Sequence, residues 1–198
     1  MPGLHIVPNL LPPEIQTLLL SRLLHRDLSN PAHLTNIHTH YNLSYPDEST
    51  SLFTHAPAST TPIATPLDPS IHKPLTVPQL LNKKMRWTTL GGQYDWTAKR
   101  YPPSTPPPFP SDIKNLLESI WTSTKAEAAI VNLYSPGDTL SVHRDVAEMS
   151  GTGLIVKGTC PEYLSDWPGN RDVKGEFEAW RGWMAGKRVN LNVRQMWD

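Results

Sequence analysis

Two segments in the C-terminal half alternate strictly between polar and hydrophobic residues. In RVNLNVR, residues 188–194, arginine and asparagine alternate with valine and leucine, so a strand would place every polar side chain on one face. AEAAIVNLY likewise predicts a strand, on which Asn132 and Tyr134 share a face. SPGD, residues 135–138, is typical of a turn, and residues 139–145 predict a further strand. GLI, residues 153–155, is expected to begin another.

Leucine spacing predicts helices in the N-terminal half and in the middle of the chain. Pro12 and Pro13 suit a first helical turn and precede an apolar stripe of Ile15, Leu18, Leu19 and Leu23. Ser111 is expected to cap a second helix, whose stripe consists of Ile113, Leu116, Leu117, Ile120 and Trp121. Residues 176–184 predict a short third helix. Helices followed by strands favour an α+β fold, a mainly antiparallel sheet with helices on one face.

Proline divides the chain, since 21 of the 198 residues are proline. Residues 45–78 carry prolines every few positions with Ser and Thr between them, which predicts a flexible loop without a central strand. The following aromatic and basic segment, residues 83–110, predicts a hairpin or surface flap that turns at Gly91-Gly92. The expected organisation is a helical region at 1–44, a Pro/Ser/Thr-rich insert at 45–78 and a main domain at 79–198.

Charge and cysteine content bear on the expected cellular compartment more than on the function. Lys+Arg and Asp+Glu both number 18, so no global charge attracts nucleic acid or an anionic membrane. The single Cys160 cannot form an internal disulfide, the N-terminus lacks the pattern of a secretory signal, and no apolar run approaches about 20 residues. We therefore expect a soluble intracellular protein; the nucleus, the cytoplasm and the mitochondrion all stay open.

His143 and Asp145 are the candidate metal ligands. They lie two residues apart, so on a strand both side chains point to one face. With a second, distant histidine they would form the facial triad of non-haem Fe(II) oxygenases, which leaves three coordination positions open. The alternative is an ordinary solvated loop. RVNLNVR has two interpretations as well: an edge strand with a wet side, or a cavity wall whose two arginines grip a dicarboxylate.

Taken together, NLYSPGDTLSVHRD and RVNLNVR resemble the AlkB-like Fe(II)/2-oxoglutarate dioxygenase family, with its N-x-Y…H-x-D and R-x-N-x-x-x-R elements in order. GTCPEYLSDWP, EAWRGWM and KRVNLNVRQM are similar to the eukaryotic AlkB homologue 1 branch, and the resemblance covers about residues 80–198. It implies a double-stranded β-helix, or jelly-roll, with N-terminal helices packed on the sheet. It also implies a monomeric enzyme that uses Fe(II) and 2-oxoglutarate to hydroxylate N-methyl groups on bases of tRNA or DNA, so that formaldehyde is released.

The resemblance implies a role for each matching residue. His143 and Asp145 match two iron ligands, and Arg188 matches the arginine that pairs with the distal carboxylate of 2-oxoglutarate. The remaining expected contacts of 2-oxoglutarate are Asn132, Tyr134, Asn190, Asn192 and Arg194. Trp96 and Tyr101 match an aromatic pair of the nucleotide-recognition flap, with Lys99 and Arg100 near phosphate; the alternative for these aromatics is packing within the flap. Glu148 matches an acidic position of the family.

The third iron ligand has no match in this chain. The family's distal histidine precedes the segment that begins here near Lys157, whereas the other seven histidines all lie before the flap, at positions 5, 25, 33, 38, 40, 55 and 72. We therefore expect an internal truncation near residues 155–157 and a partial jelly-roll with a two-ligand metal site. Three alternatives follow: a truncated isoform of an enzyme, a non-catalytic relative that keeps a nucleic-acid-binding flap, and a chain without a stable fold.

Overall fold

The computed structural model describes residues 7–8, 10–45, 51–95, 98–102, 104–139, 153–159, 183 and 186–196, of which 153–159 are described by their backbone. Within these ranges the helices are α1 (Pro13–Arg22), α2 (Val77–Gln79) and α3 (Ser111–Ile120), with π-helical turns at Leu23–Asp27 and Leu80–Lys84 and 3-10 turns at Asn36–Thr39 and Leu52–Thr54. The strands are β1 (Tyr41–Leu43), β2 (Pro62–Pro66), β3 (Leu75–Thr76), β4 (Trp87–Gly91), β5 (Ala128–Tyr134), β6 (Gly153–Thr159) and β7 (Arg188–Arg194).

The larger sheet is antiparallel throughout, with strand order β4-β5-β7-β6. β7 is an interior strand of this sheet, since it pairs over its full length with β5 on one side and β6 on the other. The interpretation of RVNLNVR as an edge strand is therefore wrong. The strands predicted from AEAAIVNLY and RVNLNVR, and the strand start at residue 153, are confirmed.

One face of the larger sheet packs against the helices. Leu90, Val131, Leu133 and Val193 belong to the same buried cluster as Leu24 and Leu28 after α1, and Ile113 and Leu117 of α3. Burial of a side chain of this size stabilises a fold by about 1.5–3 kcal/mol. The sheet with helices on one face that the sequence predicts is thus present in the described residues.

The proline-rich segment contributes two strands to a second sheet, so the prediction of a flexible loop without a central strand at residues 45–78 is wrong. β2 is the middle strand of a three-stranded antiparallel sheet with order β1-β2-β3. Its two prolines are its first and last residues, where a missing backbone N–H is tolerated best. Between them Ile63 and Ala64 are buried, and this burial outweighs the unfavourable local composition.

The segment predicted to be a surface flap contains a buried strand of the main sheet. Thr88, Thr89 and Leu90 of β4 are almost fully buried, and β4 pairs with β5 from Trp87 to Gly91. The hairpin lies further along, where the backbones of Asp95 and Arg100 bridge each other. Gly91 has a φ of +64°, and a Cβ at this residue would lie well inside van der Waals contact with the carbonyl oxygen of Glu127. The glycine serves a close backbone approach and not a hairpin turn.

The two long helices are joined by ion pairs. Asp112, in the first turn of α3, accepts hydrogen bonds from Arg22 and from Arg26, the latter over 2.8 Å. Burial acts to raise the pKa of Asp112, but the bond from Arg26 and the two positive charges outweigh it and lower this pKa. The prediction that Ser111 caps α3 is wrong: Pro110 is the N-cap residue, and Ser111 is the first residue of the helix.

The turn at residues 135–138 is confirmed, since the Asp138 amide donates to the Ser135 carbonyl over 3.0 Å and the Ser135 amide to the Asp138 carboxylate over 2.7 Å. The strand predicted beyond residue 139 and the helix predicted at residues 176–184 lie outside the described residues, apart from Trp183, which is helical. No helix among the described residues is both long enough and apolar enough to cross a bilayer.

Two glycines with positive φ offer a matched pair of substitutions. Gly137 has a φ of +86°, but a Cβ there would meet no atom within 4 Å. We expect Gly137→Ala to lower the free energy of unfolding by about 1 kcal/mol through backbone strain alone. Gly91→Ala adds overlap with Glu127 and Phe109, so we expect it to lose at least about 2 kcal/mol more. Urea unfolding measures both, and equal losses would contradict the close approach at Gly91.

Candidate functional site

The polar face of the larger sheet gathers the side chains that the sequence singles out. In the register of β5 and β7, Asn132 lies opposite Asn190 and Tyr134 lies opposite Arg188. Directly opposed residues in antiparallel strands share a face, with Cβ atoms about 5 Å apart. The six residues expected to contact 2-oxoglutarate therefore occupy one face of two neighbouring strands: Asn132, Tyr134, Arg188, Asn190, Asn192 and Arg194.

Asn190 lies near the middle of this face and is 8 % exposed. Its Oδ1 atom has no hydrogen-bond partner among the residues that the structure describes. A buried polar atom without a partner costs about 1–3 kcal/mol, so such atoms in native proteins call for a specific reason. The buried amide is a ready binding group for a ligand placed over the face.

The two arginines lie at opposite ends of β7 and differ in their surroundings. Arg188 is exposed, and its guanidinium carbon lies 4.6 Å from the centroid of the Tyr134 ring, a cation–π contact that holds both side chains in place. Arg194 is 7 % exposed. The arrangement offers one guanidinium at an open end of the face and one at a closed end.

Local propensity does not explain the composition of this face. Asparagine is depleted in strands, yet Asn132, Asn190 and Asn192 all lie in the two interior strands β5 and β7. Residues that contradict the local preference of their element are expected at functional sites, where the cost is offset elsewhere. Amides and guanidiniums all donate hydrogen bonds, so the face is suited to an anion with several carboxylate oxygens.

Lys187, directly before β7, is a further buried charged residue. It is 7 % exposed, its Nζ donates to the Ser135 hydroxyl over 2.5 Å, and it lies 5.2 Å from the centroid of the Trp183 ring. Burial and then the positive charge of Arg86 lower the pKa of Lys187. A lysine directly before a strand carries no alternation signal, so the pattern of RVNLNVR could not identify it.

Tyr101 lies in the segment after the hairpin, beyond the end of β4. Its ring contacts the ring of Tyr94 edge to face, with centroids 5.3 Å apart. Lys99 and Arg100 are exposed in the hairpin, and Lys99 has a φ of +53°. The described residues thus pair Tyr101 with Tyr94, while the predicted partner Trp96 lies outside them.

The predicted metal ligands His143 and Asp145, and also Glu148, lie outside the described residues. Within the described ranges no group of three His, Cys, Asp or Glu side chains could hold a metal ion. The described histidines have other surroundings, such as that of His38, which accepts from the Thr35 amide over 2.9 Å and contacts the Tyr45 hydroxyl over 2.8 Å.

The donor-lined polar face of this helix-backed antiparallel sheet is suited to an organic dicarboxylate. Residues 36–157 match the model of the 2OG-Fe(II) oxygenase superfamily. The chain belongs to this superfamily, and within it to the AlkB-like oxygenases that its relatives define. The resemblance to AlkB-like dioxygenases inferred from the N-x-Y…H-x-D and R-x-N-x-x-x-R elements is confirmed.

Several known proteins are similar to this chain, two of those named here over nearly its whole length. "N6-methyladenosine RNA demethylase ALKB1" of Pyricularia oryzae is 39 % identical, over 99 % of this chain and 75 % of its own. "tRNA demethylase abh1" of Schizosaccharomyces pombe is 35 % identical, over 98 % of this chain and 79 % of its own. Human "Nucleic acid dioxygenase ALKBH1" is 38 % identical over 36 % of this chain and 20 % of its own.

The alignments also show that these relatives carry residues that this chain lacks. The alignment with the Pyricularia protein has 268 positions and this chain has 198 residues, so at least 70 positions are occupied in the relative alone. The superfamily match ends at residue 157, inside β6.

The superfamily implies Fe(II) and 2-oxoglutarate, and the described residues fit the second of these. The fit rests on the buried Asn190 amide and on the two arginines of β7, which are donors suited to carboxylates. For iron, the expected protein ligands lie outside the described residues.

The unpartnered Asn190 gives a stability test of the site. We expect Asn190→Leu to keep or raise the free energy of unfolding by about 1 kcal/mol in ligand-free protein, because it removes a buried polar atom without a partner. Asn36 is the control: its amide donates to the Lys84 carbonyl over 2.8 Å and accepts from the Arg86 amide over 2.8 Å. Asn36→Leu is therefore expected to lose about 1–3 kcal/mol. Similar losses in urea unfolding of both variants would show that Asn190 is an ordinary structural residue.

Proposed function

We propose that this chain is an AlkB-like dioxygenase that binds 2-oxoglutarate on the polar face of its larger sheet and removes N-methyl groups from nucleic-acid bases. The observation that carries the proposal is the register of β5 and β7, which aligns Asn132 with Asn190 and Tyr134 with Arg188. Membership of the superfamily supplies the cosubstrate class, and the relatives, named as RNA, tRNA and nucleic-acid demethylases or dioxygenases, supply the substrate class.

The cosubstrate is expected to lie along β7. Arg188 and Arg194 are six residues apart, which separates their Cα atoms by roughly 20 Å in a strand. Long arginine side chains that lean toward each other over Asn190 and Asn192 would grip the two carboxylates of a short dicarboxylate from either end. The Tyr134 ring fixes the guanidinium of Arg188, which lowers the entropy cost of the contact.

His143 and Asp145 would hold the iron, which when bound supplies activation of oxygen for the oxidation of the methyl group. A neutral imidazole and a carboxylate are suitable ligands for Fe(II), and the distal histidine of the family has no counterpart in this chain. With two protein ligands, water or an anion would complete the coordination, and we expect weaker metal binding than at a full triad. The architecture proposed for this arrangement is a partial jelly-roll.

The flap is proposed to receive the methylated base. Tyr94 and Tyr101 provide aromatic rings 5.3 Å apart, and Lys99 and Arg100 provide positive charge for the adjacent phosphates. Trp96 is proposed as a further stacking residue. An N-methyl group is hydroxylated only when its base leaves the stack, so unpaired RNA, tRNA loops and single-stranded DNA are the polymers that fit.

A second function is favoured by one observation, the at least 70 aligned positions that the Pyricularia relative has and this chain lacks. If these positions include the distal ligand, as the end of the superfamily match at residue 157 favours, the chain binds cosubstrate and nucleic acid without efficient turnover. It would then act as a binding protein that competes with complete enzymes for the same substrates.

Titration calorimetry with 2-oxoglutarate tests the cosubstrate face. We expect Arg194→Leu to weaken binding by roughly tenfold to a hundredfold, because a charge-assisted hydrogen bond contributes about 1.5–3 kcal/mol. Arg194→Lys keeps the charge but loses the fork, so an intermediate affinity is expected. Arg100→Leu, in the exposed hairpin, is the control and should bind as the unmodified chain does. Equal affinity of all four proteins would remove the proposed cosubstrate face.

Formaldehyde release tests turnover. The chain is incubated with Fe(II), 2-oxoglutarate and a single-stranded oligonucleotide that carries N-methylated adenine. It is compared with a version into which the additional residues of the Pyricularia relative are inserted between Ile155 and Lys157. We expect the insertion to raise the rate at least about tenfold, since a complete triad holds the metal more tightly. His143→Ala in the inserted version should abolish the rate.

The outcomes of this comparison separate the hypotheses. Equal rates with and without the insertion would contradict the junction near residues 155–157. No formaldehyde from an inserted version that binds iron and 2-oxoglutarate would contradict the demethylase proposal itself.

A further inference from the structure

A second basic surface lies at the end of the larger sheet where β4 begins, β5 ends and β7 begins. We call it the basic corner; it consists of Lys83, Lys84 and Arg86 before β4 and of Lys187 and Arg188 at the start of β7, and Arg86 and Lys187 contact the turn at residues 135–138. The register fixes its location, because Trp87 lies opposite Asn132 and Tyr134 lies opposite Arg188. The part of the flap that carries Tyr94, Lys99 and Arg100 follows Gly91 and therefore extends from the opposite end of the sheet.

Rigid contacts hold the corner in place. Asn36 binds the backbone on both sides of Met85, through the Lys84 carbonyl and the Arg86 amide. The Arg86 carbonyl accepts from the Leu133 amide over 2.8 Å, which fixes this backbone against β5. Lys187 donates to the Ser135 hydroxyl on the other side of the same strand. The charges are thus carried by a helical turn and by strand ends whose backbones are held in place.

The corner is strongly unbalanced in charge. Among the described residues its one bonded carboxylate is Asp138, which pairs with Arg86 over 2.6 Å and also accepts from the Ser135 amide. Lys83 and Lys84 are exposed and form no ion pair within the described ranges. Arg86 is close enough to Lys187 to lower its pKa, after the larger effect of burial. Like charges gathered on a rigid frame favour a bound polyanion.

We propose that the basic corner binds the phosphate backbone of a single-stranded polynucleotide at the Tyr134 and Arg188 end of the polar face, several nucleotides away from the base that the flap receives. The site would then have two nucleic-acid contacts, the flap at one end of the sheet and the basic corner at the other. Arg188 contacts the Tyr134 ring, and Arg86 precedes β4 at the same end of the sheet, so a phosphate held there lies beside the face proposed for the cosubstrate. The inference rests on the proposed function for the identity of the polymer, but phosphate binding at the corner requires neither iron nor turnover.

Fluorescence anisotropy with an unmethylated single-stranded RNA, in EDTA and without 2-oxoglutarate, tests the corner. Lys83→Glu/Lys84→Glu should raise the Kd at least about fivefold at low salt and lower the slope of log K against log salt by about 1.4, about 0.7 for each lost phosphate contact. Asp138→Asn removes the acid of the corner and keeps an acceptor for the Ser135 amide, so it should tighten binding several-fold.

Lys114→Glu/Lys125→Glu is the matched control. It makes the same charge change on α3 and near the Ala128 end of the sheet, where Lys125 donates its amide to Gln195. We expect its effect on the Kd to be less than twofold. If both double variants weaken binding equally, the effect is one of net charge and the inference is overturned. It is also overturned if the unmodified chain does not bind the RNA at low salt. If the corner binds RNA but no formaldehyde is released, the proposed demethylase activity is contradicted and the inference about the corner is not.

Discussion

The pairing of β7 with both of its neighbours is the constraint on which the rest of this structure depends. Every residue from Arg188 to Arg194 is opposed by one residue of β5 and one of β6. Because side chains alternate along a strand, a slip of one residue would turn all the arginines and asparagines toward the helices and all the valines and leucines away from them. The register that forms the core is therefore also the register that forms the polar face.

This coupling explains how a central strand tolerates so many polar residues. Leu133 and Val193 contribute to the buried cluster on one side of the sheet, and their burial offsets the cost of placing Asn190 and Arg194 in almost fully buried positions on the other. The remaining cost is visible at Asn190, whose Oδ1 lacks a partner among the described residues. A stability cost of this kind is expected where a protein keeps a preformed binding face, which is the role proposed for Asn190.

The sequence predicted the parts of the fold that depend on local pattern. α1, α3, β5, β7 and the turn at residues 135–138 all follow from periodicity or turn chemistry, and each is present. β2 could not be predicted, because its strand character comes from burial of Ile63 and Ala64 and not from its proline-rich composition. β4 was predicted only as part of a hairpin or surface flap and not as a buried strand of the main sheet, since WTTLG alternates weakly and is a strand chiefly through its pairing with β5.

In the candidate site, too, the features set by local sequence pattern were predictable and those set by tertiary contacts were not. The grouping of Asn132 and Tyr134 with the polar residues of β7 follows from alternation once the two strands are adjacent, and the motif resemblance made that adjacency predictable. The buried position of Lys187 could not be predicted, since it depends on tertiary contacts of the lysine with the Ser135 hydroxyl and the Trp183 ring. The contact between Tyr94 and Tyr101 is likewise tertiary, because the bridge between Asp95 and Arg100 brings the two rings together.

β6 shows that the larger sheet is continuous across the junction predicted from the sequence. It runs without interruption through the predicted junction at residues 155–157, and Leu154 and Val156 occupy the register positions opposite Val193 and Leu191. A join that preserves the alternation of a strand leaves both faces of the sheet intact. The polar face that carries the proposed cosubstrate residues is built by β5 and β7, whose pairing does not involve the predicted junction. The geometry of this face is therefore independent of the predicted junction.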